Sequence, residues 1–400
     1  MRISTASFHD SAAASITARQ AEVASTQAQL SSSRRVSTAA DDPVGAARAV
    51  RARAGLAQTG RWRDAQTAAK TGLSLAESTL GAMNDVISSA RDTVLASGNG
   101  ILNAADRRTL ALQLRQSFDQ LAGLANTTDG DGTYLFAGFD NRSAPFVQNG
   151  TSVSYAGDDG QRFADLGPGV RLPVTQNGAD LFERLPGGNG VFATSAPATN
   201  AGQGVVGTGR VTSAGALTGH QYTVSFGAGG GSYSVVDDTT SATVLLAQPF
   251  TPGGTIAFDG LAFEVKGLPA AGDTFAVAPA SSSSVFDRLA RAIAMLENPA
   301  TGDAANAWRA GELSGVLQDL TVASDRLIEA RGVAGNGLNR LETLGSLAED
   351  RSLAEQAEIS TVEDLDYAKA ASELAKRNLA LQAAMAAYAQ TGRRSLFDFL

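Results

Sequence analysis

The 400-residue chain has no cysteine, two histidines, two tryptophans and four methionines, and aromatics make up only 6% of it. Without cysteine there is no disulfide, no thiolate metal site and no cysteine nucleophile. His9 and His220 are isolated and lack an HExxH neighbour, so a transition-metal centre has little to be built from. Lysine is scarce; the 32 basic residues are almost all arginine. The pairs Arg34-Arg35, Arg107-Arg108 and Arg393-Arg394 stand apart among neutral or acidic residues, and the net charge is −8. Nucleic-acid binding needs a continuous basic patch and is not expected. No apolar run reaches the roughly 18 residues of a membrane helix, so no membrane insertion is expected. The segment MRISTASFHDSAAASITARQ lacks the apolar core of a cleaved secretory signal.

What the chain does have is small helix-forming residues in narrow repeating stripes. From Tyr367 it reads YAKAASELAKRNLALQAAMAAYAQ, free of Gly and Pro. Tyr367, Ala371, Leu374, Asn378, Leu381, Met385 and Tyr388 alternate steps of 4 and 3, the spacing of a coiled-coil seam. Near the other end Ile16, Val23 and Leu30 are spaced by seven, with Gln20 and Gln27 between them. Each stripe is too thin to form a core alone, so the two ends are expected to pair with each other and with neighbouring copies. So few large apolar groups also predict that residues 1–37 are disordered in a free monomer. In STAADDPVGAA, Asp41 or Asp42 is placed to cap a helix opening with Pro43. Two further seams, Leu73-Ala76-Leu80-Met83-Ile87-Ala90-Val94 and Leu313-Val316-Leu320-Ala323-Leu327-Ala330-Ala334, are expected to pack on each other. A helix is predicted from about Ala104 to Asn126, and another from Val285 to the Asn298-Pro299 stop. Gly332, Gly335 and Gly337 are expected to weaken the last long helix.

Residues 130–283 differ in character, with 27 of the 43 glycines. Short apolar runs at Ser152–Tyr155, Tyr222–Phe226, Tyr233–Val236, Thr255–Phe258, Ala262–Val265 and Thr274–Val277, separated by turn residues, read as antiparallel strands. YLFAGF at 134–139 is strand-like as well. The fold class is therefore α+β. Long N- and C-terminal helices form an antiparallel coiled-coil stem or bundle around a central Gly-rich antiparallel β insertion of one or two subdomains. The expected divisions are 1–37 with 356–400, 38–129 with 284–355, 130–195, and an inserted module at 196–283.

Motifs that carry chemistry elsewhere are weak here. GQGVVG at 202–207 has no strand before it and no helix after it, unlike a dinucleotide loop. DGDG at 129–132 lacks the closing Glu of a calcium loop and reads as a tight turn. Asp158-Asp159 and Asp237-Asp238 sit beside turn residues, and no GxSxG elbow is present. No catalytic residue, cofactor site or metal site is expected.

The segments SSSRRVSTAADDPVGAA, TTDGDGTYLFAGFDNRSAPF and EDLDYAKAASELAKRNLALQAAMAAYAQTGRRSLFDFL, with the opening MRIST, resemble the flagellin superfamily of bacterial flagella over roughly residues 1–150 and 284–400. DGDGTYLFAG and SLFDFL resemble the junction subunits between hook and filament more than filament flagellins. The resemblance implies a secreted, extracellular, non-enzymatic structural protein, exported through the flagellar type III channel without a cleaved signal. It implies hook-associated protein 1, flagellin, copies of itself and a cytoplasmic export chaperone as partners. The assembly interface is expected at Ile16, Val23, Leu30, Tyr367, Leu374, Leu381, Met385 and Tyr388. Leu396, Phe397, Phe399 and Leu400 are expected to make axial or chaperone contacts. Two alternatives stay open: a filament-forming flagellin, and a subunit whose β insertion binds glycan or acts as an extracellular enzyme.

Overall fold

In the computed structural model, which describes residues 5–99 and 102–393, six helices frame a β-rich middle. They are α1 (Thr5–Ser32), α2 (Pro43–Ser97), α3 (Ala104–Ala125), α4 (Val285–Glu297), α5 (Asp303–Glu363) and α6 (Tyr367–Arg393). The chain divides into two compact units, residues 1–65 with 343–400 and residues 66–342. Helices α2 and α5 contribute to both.

In the second unit α2 and α5 run antiparallel. Glu77 pairs with Arg331 at 2.7 Å, and Asn84 accepts from Ser324 at 2.7 Å. The seven α2 seam residues from Leu73 to Val94 are buried, as are Val316, Leu320, Ala323, Leu327, Ala330 and Ala334 on α5. Helices α3 and α4 complete this core, with Phe118 against Phe286 at 5.7 Å between ring centroids. Their starts are fixed by capping boxes, Asn103 with Asp106 and Ser284 with Asp287. Helix α5 runs unbroken through Gly332, Gly335 and Gly337. A Cβ on Gly337 would stand 3.0 Å from a Leu73 methyl, so the missing side chain lets α2 approach.

The β region begins with two hairpins, β1 (Phe146–Asn149) with β2 (Ser152–Tyr155) and β3 (Phe163–Gly167) with β4 (Val170–Pro173). Then come β5 (Leu185–Pro186), β6 (Phe192–Ser195), β7 (Val205–Val206), β8 (Arg210–Val211), β9 (Tyr222–Phe226) and β10 (Ser232–Asp237). The last are β11 (Ala242–Pro249), β12 (Thr255–Phe258), β13 (Leu261–Lys266), β14 (Thr274–Pro279) and β15 (Ser282–Ser283). A five-stranded antiparallel sheet is ordered β11-β10-β9-β14-β6, and a smaller one β12-β13-β7, with β8 also on β13. Val224, Val235, Val265 and Phe275 fill a second core distinct from the helical one. The two-stranded pairing of β5 with β15 brings the ends of this module together.

One expected strand is not formed. Among residues 134–139 the backbone makes a single bridge, Thr128 to Tyr134, and otherwise turns. Gly138 adopts φ +88°, and the Asp158 carboxylate accepts the N–H groups of Phe139 at 2.9 Å and Asp140 at 2.8 Å. The apolar side chains are buried all the same: Phe136 packs on Phe182 at 5.6 Å. The apolar run marks the core, while local hydrogen bonds replace a ladder.

Candidate assembly surface

The candidate surface lies in the first unit, where α6 packs against α1. Three contacts fix the direction as antiparallel. The Tyr367 hydroxyl is hydrogen-bonded to the Ser33 hydroxyl. Arg377 donates to the Glu22 carbonyl at 3.1 Å and to Thr26 Oγ1 at 2.8 Å. The rings of Tyr388 and His9 meet edge to face at 5.7 Å.

Ile16, Val23 and Leu30 are half-buried on α1, and Thr26 between them is buried. On α6 the covered positions are Ala370, Glu373, Leu374, Arg377, Ala380, Leu381 and Ala384. Leu374 and Leu381 thus lie on the α1 side, while Tyr367, Met385 and Tyr388 remain 54%, 42% and 37% exposed. Ala371 and Asn378 are exposed too. The covered stripe is rotated by one residue from the most apolar one, because alanine and a hydrogen-bonding arginine let two slender helices approach closely. Leu379, 68% exposed, adds to the apolar surface that α1 leaves open. Leu396, Phe397, Phe399 and Leu400 lie outside the described residues.

The helix pair is anchored where the chain turns from α1 into α2 and from α5 into α6. Arg35 N–H donates to the Glu363 carbonyl at 2.7 Å, and Leu365 N–H to Ser33 O at 3.3 Å. Arg35 also donates to Val362 O at 2.6 Å and lies 3.4 Å from Asp42. The buried Glu363 carboxylate pairs with Arg53 and, at 3.8 Å, with Arg34. Arg48 meets Glu358 at 2.7 Å.

The two aspartates divide the work. Asp42 Oδ1 accepts from Gly45 N–H at 2.8 Å, capping α2 at its Pro43 start. Asp41 instead closes the preceding turn, accepting from Thr38 N–H at 2.8 Å and Ser37 N–H at 3.1 Å. The Thr38 and Ser37 N–H groups hold the Asp41 carboxyl below its usual range, and the Gly45 N–H does so for Asp42. Gly45 is required here: a Cβ would fall 2.5 Å from the Asp42 carboxylate and 3.2 Å from Val362.

Glu363, Arg53 and Arg377 are the surface's polar determinants that the apolar stripes do not reveal. Their one sequence signal is charge at positions where helices meet.

The groups that suggest chemistry are committed elsewhere. Asp129 in DGDG accepts from Asp131 N–H and Thr133 N–H at 3.0 and 2.9 Å. Asp159 pairs with Arg184 at 2.6 Å, and His220 Nδ1 lies 2.7 Å from Asp237. GQGVVG contributes β7, with Gly202 N–H donating to Asp273 at 3.0 Å. Among the described residues no group of three or more His, Asp and Glu could hold a metal ion, and no helix is long and apolar enough to cross a membrane. The arrangement joins helices mechanically.

Two family models match parts of the chain: the bacterial flagellin N-terminal helical region over residues 3–141, and the D2-like domain of flagellar hook-associated protein 1 over residues 195–279. The chain is similar to flagellar hook-associated protein 3 of Salmonella typhimurium, with 26% identity covering 100% of this chain and 99% of that one. It is similar to the protein of the same description from Escherichia coli at 28% identity over the same shares. The solved flagellar junction protein FlgL from Legionella pneumophila superimposes with a TM-score of 0.72 at 29% identity, covering 79% of this chain and 100% of that one.

Proposed function

We infer that this chain, a relative of flagellar hook-associated protein 3 from end to end, is a structural subunit of the bacterial flagellum at the junction of hook and filament. The observation that carries the reading is the α1–α6 pair. It covers one stripe of each helix and leaves Tyr367, Leu379 and Met385 exposed, an incomplete surface that neighbouring copies would complete. Its partners are hook-associated protein 1 on one side, flagellin on the other, and copies of itself. A cytoplasmic chaperone holds the C-terminal residues, Leu396, Phe397, Phe399 and Leu400 among them, until export through the type III channel to the cell exterior. The module at 196–283 is an insertion carried outside the helical core, and the match of residues 195–279 to a separate domain type supports that division. The role is not enzymatic.

Deleting the gene tests the reading. Intact hooks without filaments, and flagellin shed into the medium, are expected; normal filaments would refute it. The match of residues 3–141 to the flagellin N-terminal region keeps a second reading in play, a filament subunit. Purified chain that extends by itself into long filaments would favour that second reading.

A further inference from the structure

A cavity of about 130 Å³ in the second unit is bounded by Ser97 and Gly98 at the end of α2, Arg107 on α3, and Asn306, Arg309 and Leu313 on α5. Arg107 is 9% exposed, and its Nε is buried with no hydrogen-bond partner; its Nη1 donates to the Leu102 carbonyl at 3.2 Å. Arg309 donates to Ala300 O at 2.8 Å and to Asn306 Oδ1 at 2.7 Å, neutral acceptors both. Among the described residues no carboxylate lines the cavity, and neither guanidinium is in an ion pair. Gly100 and Ile101, beside it in the chain, supply none by composition. Burial and the positive charge of Arg107 both hold the Arg309 guanidinium below its ordinary range. The buried Arg288, by contrast, has its acid: Arg288 and Arg291 share Asp319, and Arg291 has Glu312 at 2.6 Å. Two cations turned into one small cavity without a counter-charge repel each other, and an oxyanion between them would remove that cost.

We propose that the Arg107–Arg309 cavity binds a single small oxyanion, which neutralises both guanidinium groups and ties the start of α3 to α5. Planar guanidinium forks suit either a tetrahedral phosphate or a carboxylate. The volume excludes a nucleotide or a longer chain. The site is independent of the flagellar reading and of the α1–α6 surface, so its test succeeds or fails separately.

Full-length chain, dilute, is titrated with inorganic phosphate and separately with acetate, against chloride at equal ionic strength, by calorimetry and thermal melting. Saturable binding with a rise in melting temperature is expected. Phosphate binding alone assigns the site to a free tetrahedral oxyanion. Acetate matching phosphate assigns it to a carboxylate side chain, as an acidic residue of a neighbouring subunit would present. Arg309→Gln, half-buried and tolerable, weakens the binding at least about tenfold, the loss expected for one charged hydrogen-bonding partner. Arg171→Gln, at an exposed arginine that lies 3.5 Å from Asp165 and over the Phe163 ring, far in sequence from the cavity lining, leaves it unchanged. No saturable binding of either anion, or binding retained in a folded Arg309→Gln variant, overturns the proposal.

Discussion

Asp158 accepts from Phe139, Asp140 and Gly160 N–H groups, at 2.9, 2.8 and 2.6 Å, and so decides that an apolar run becomes a loop. The Phe139 and Asp140 N–H groups hold its carboxyl below the usual range. Asp237 goes further: burial pushes it up, but hydrogen bonds from His220, Thr240 and Thr239 outweigh this and bring it down to about 2. A carboxyl depressed in the folded state contributes stability above its unfolded value, and that stability is lost as pH falls through the folded value. The β module is therefore expected to hold a plateau above about pH 5 and to lose stability from there towards pH 2. Asp237→Asn flattens that acid limb, as circular dichroism melts at several pH values will read. Glu363→Ala releases Arg34 and Arg53, both half-exposed and able to re-solvate, so the loss is modest, about 1–2 kcal/mol in denaturant unfolding. None of these roles has a sequence signature, because an Asp beside a turn looks the same whether it caps a distant loop or faces water.

At the scale of elements, the α2 and α5 seams were readable because large apolar side chains repeat there without interruption, and all are buried or nearly so. Met83→Ala, fully buried, is expected to cost about 2–4 kcal/mol through lost packing and the cavity left behind. The α6 stripe was readable only to within one residue. Its covered side includes Ala370, Ala384 and Arg377, which carry little hydrophobic weight, while the more apolar Tyr367 and Met385 are left outward. This difference gives a test that separates packing within the chain from packing between chains. Leu381→Asp disrupts the α1–α6 pair and lowers the helix content of the isolated chain. Leu379→Asp leaves monomer stability within about 0.5 kcal/mol, as exposed positions do, yet impairs filament growth on hooks. Equal effects of both on the monomer would remove the case for an outward surface.

At the scale of the whole molecule, the helix–β–helix order and the insertion followed from composition alone: glycine density rises where helical periodicity stops. How the insertion is held did not. Arg288, 2% exposed, donates to Leu185 O at 2.6 Å and Pro186 O at 2.9 Å on β5 and to Ser283 Oγ at 3.1 Å on β15, clamping both feet of the module beside the β5–β15 pairing. Those feet are close enough that replacing residues 188–280 with a short Gly linker is expected to leave the helical core folded, its melting temperature changed by only a few degrees. The deepest expectation concerns the two chain ends, which pair antiparallel here yet cover only part of each other's surface. Amide hydrogen exchange along α1 and α6, in the dilute chain and in the assembled junction, tests it most directly. The account predicts partial protection in the free chain, where each helix has one stripe covered, and strong protection after assembly; firm protection in both states, unchanged on assembly, would contradict it.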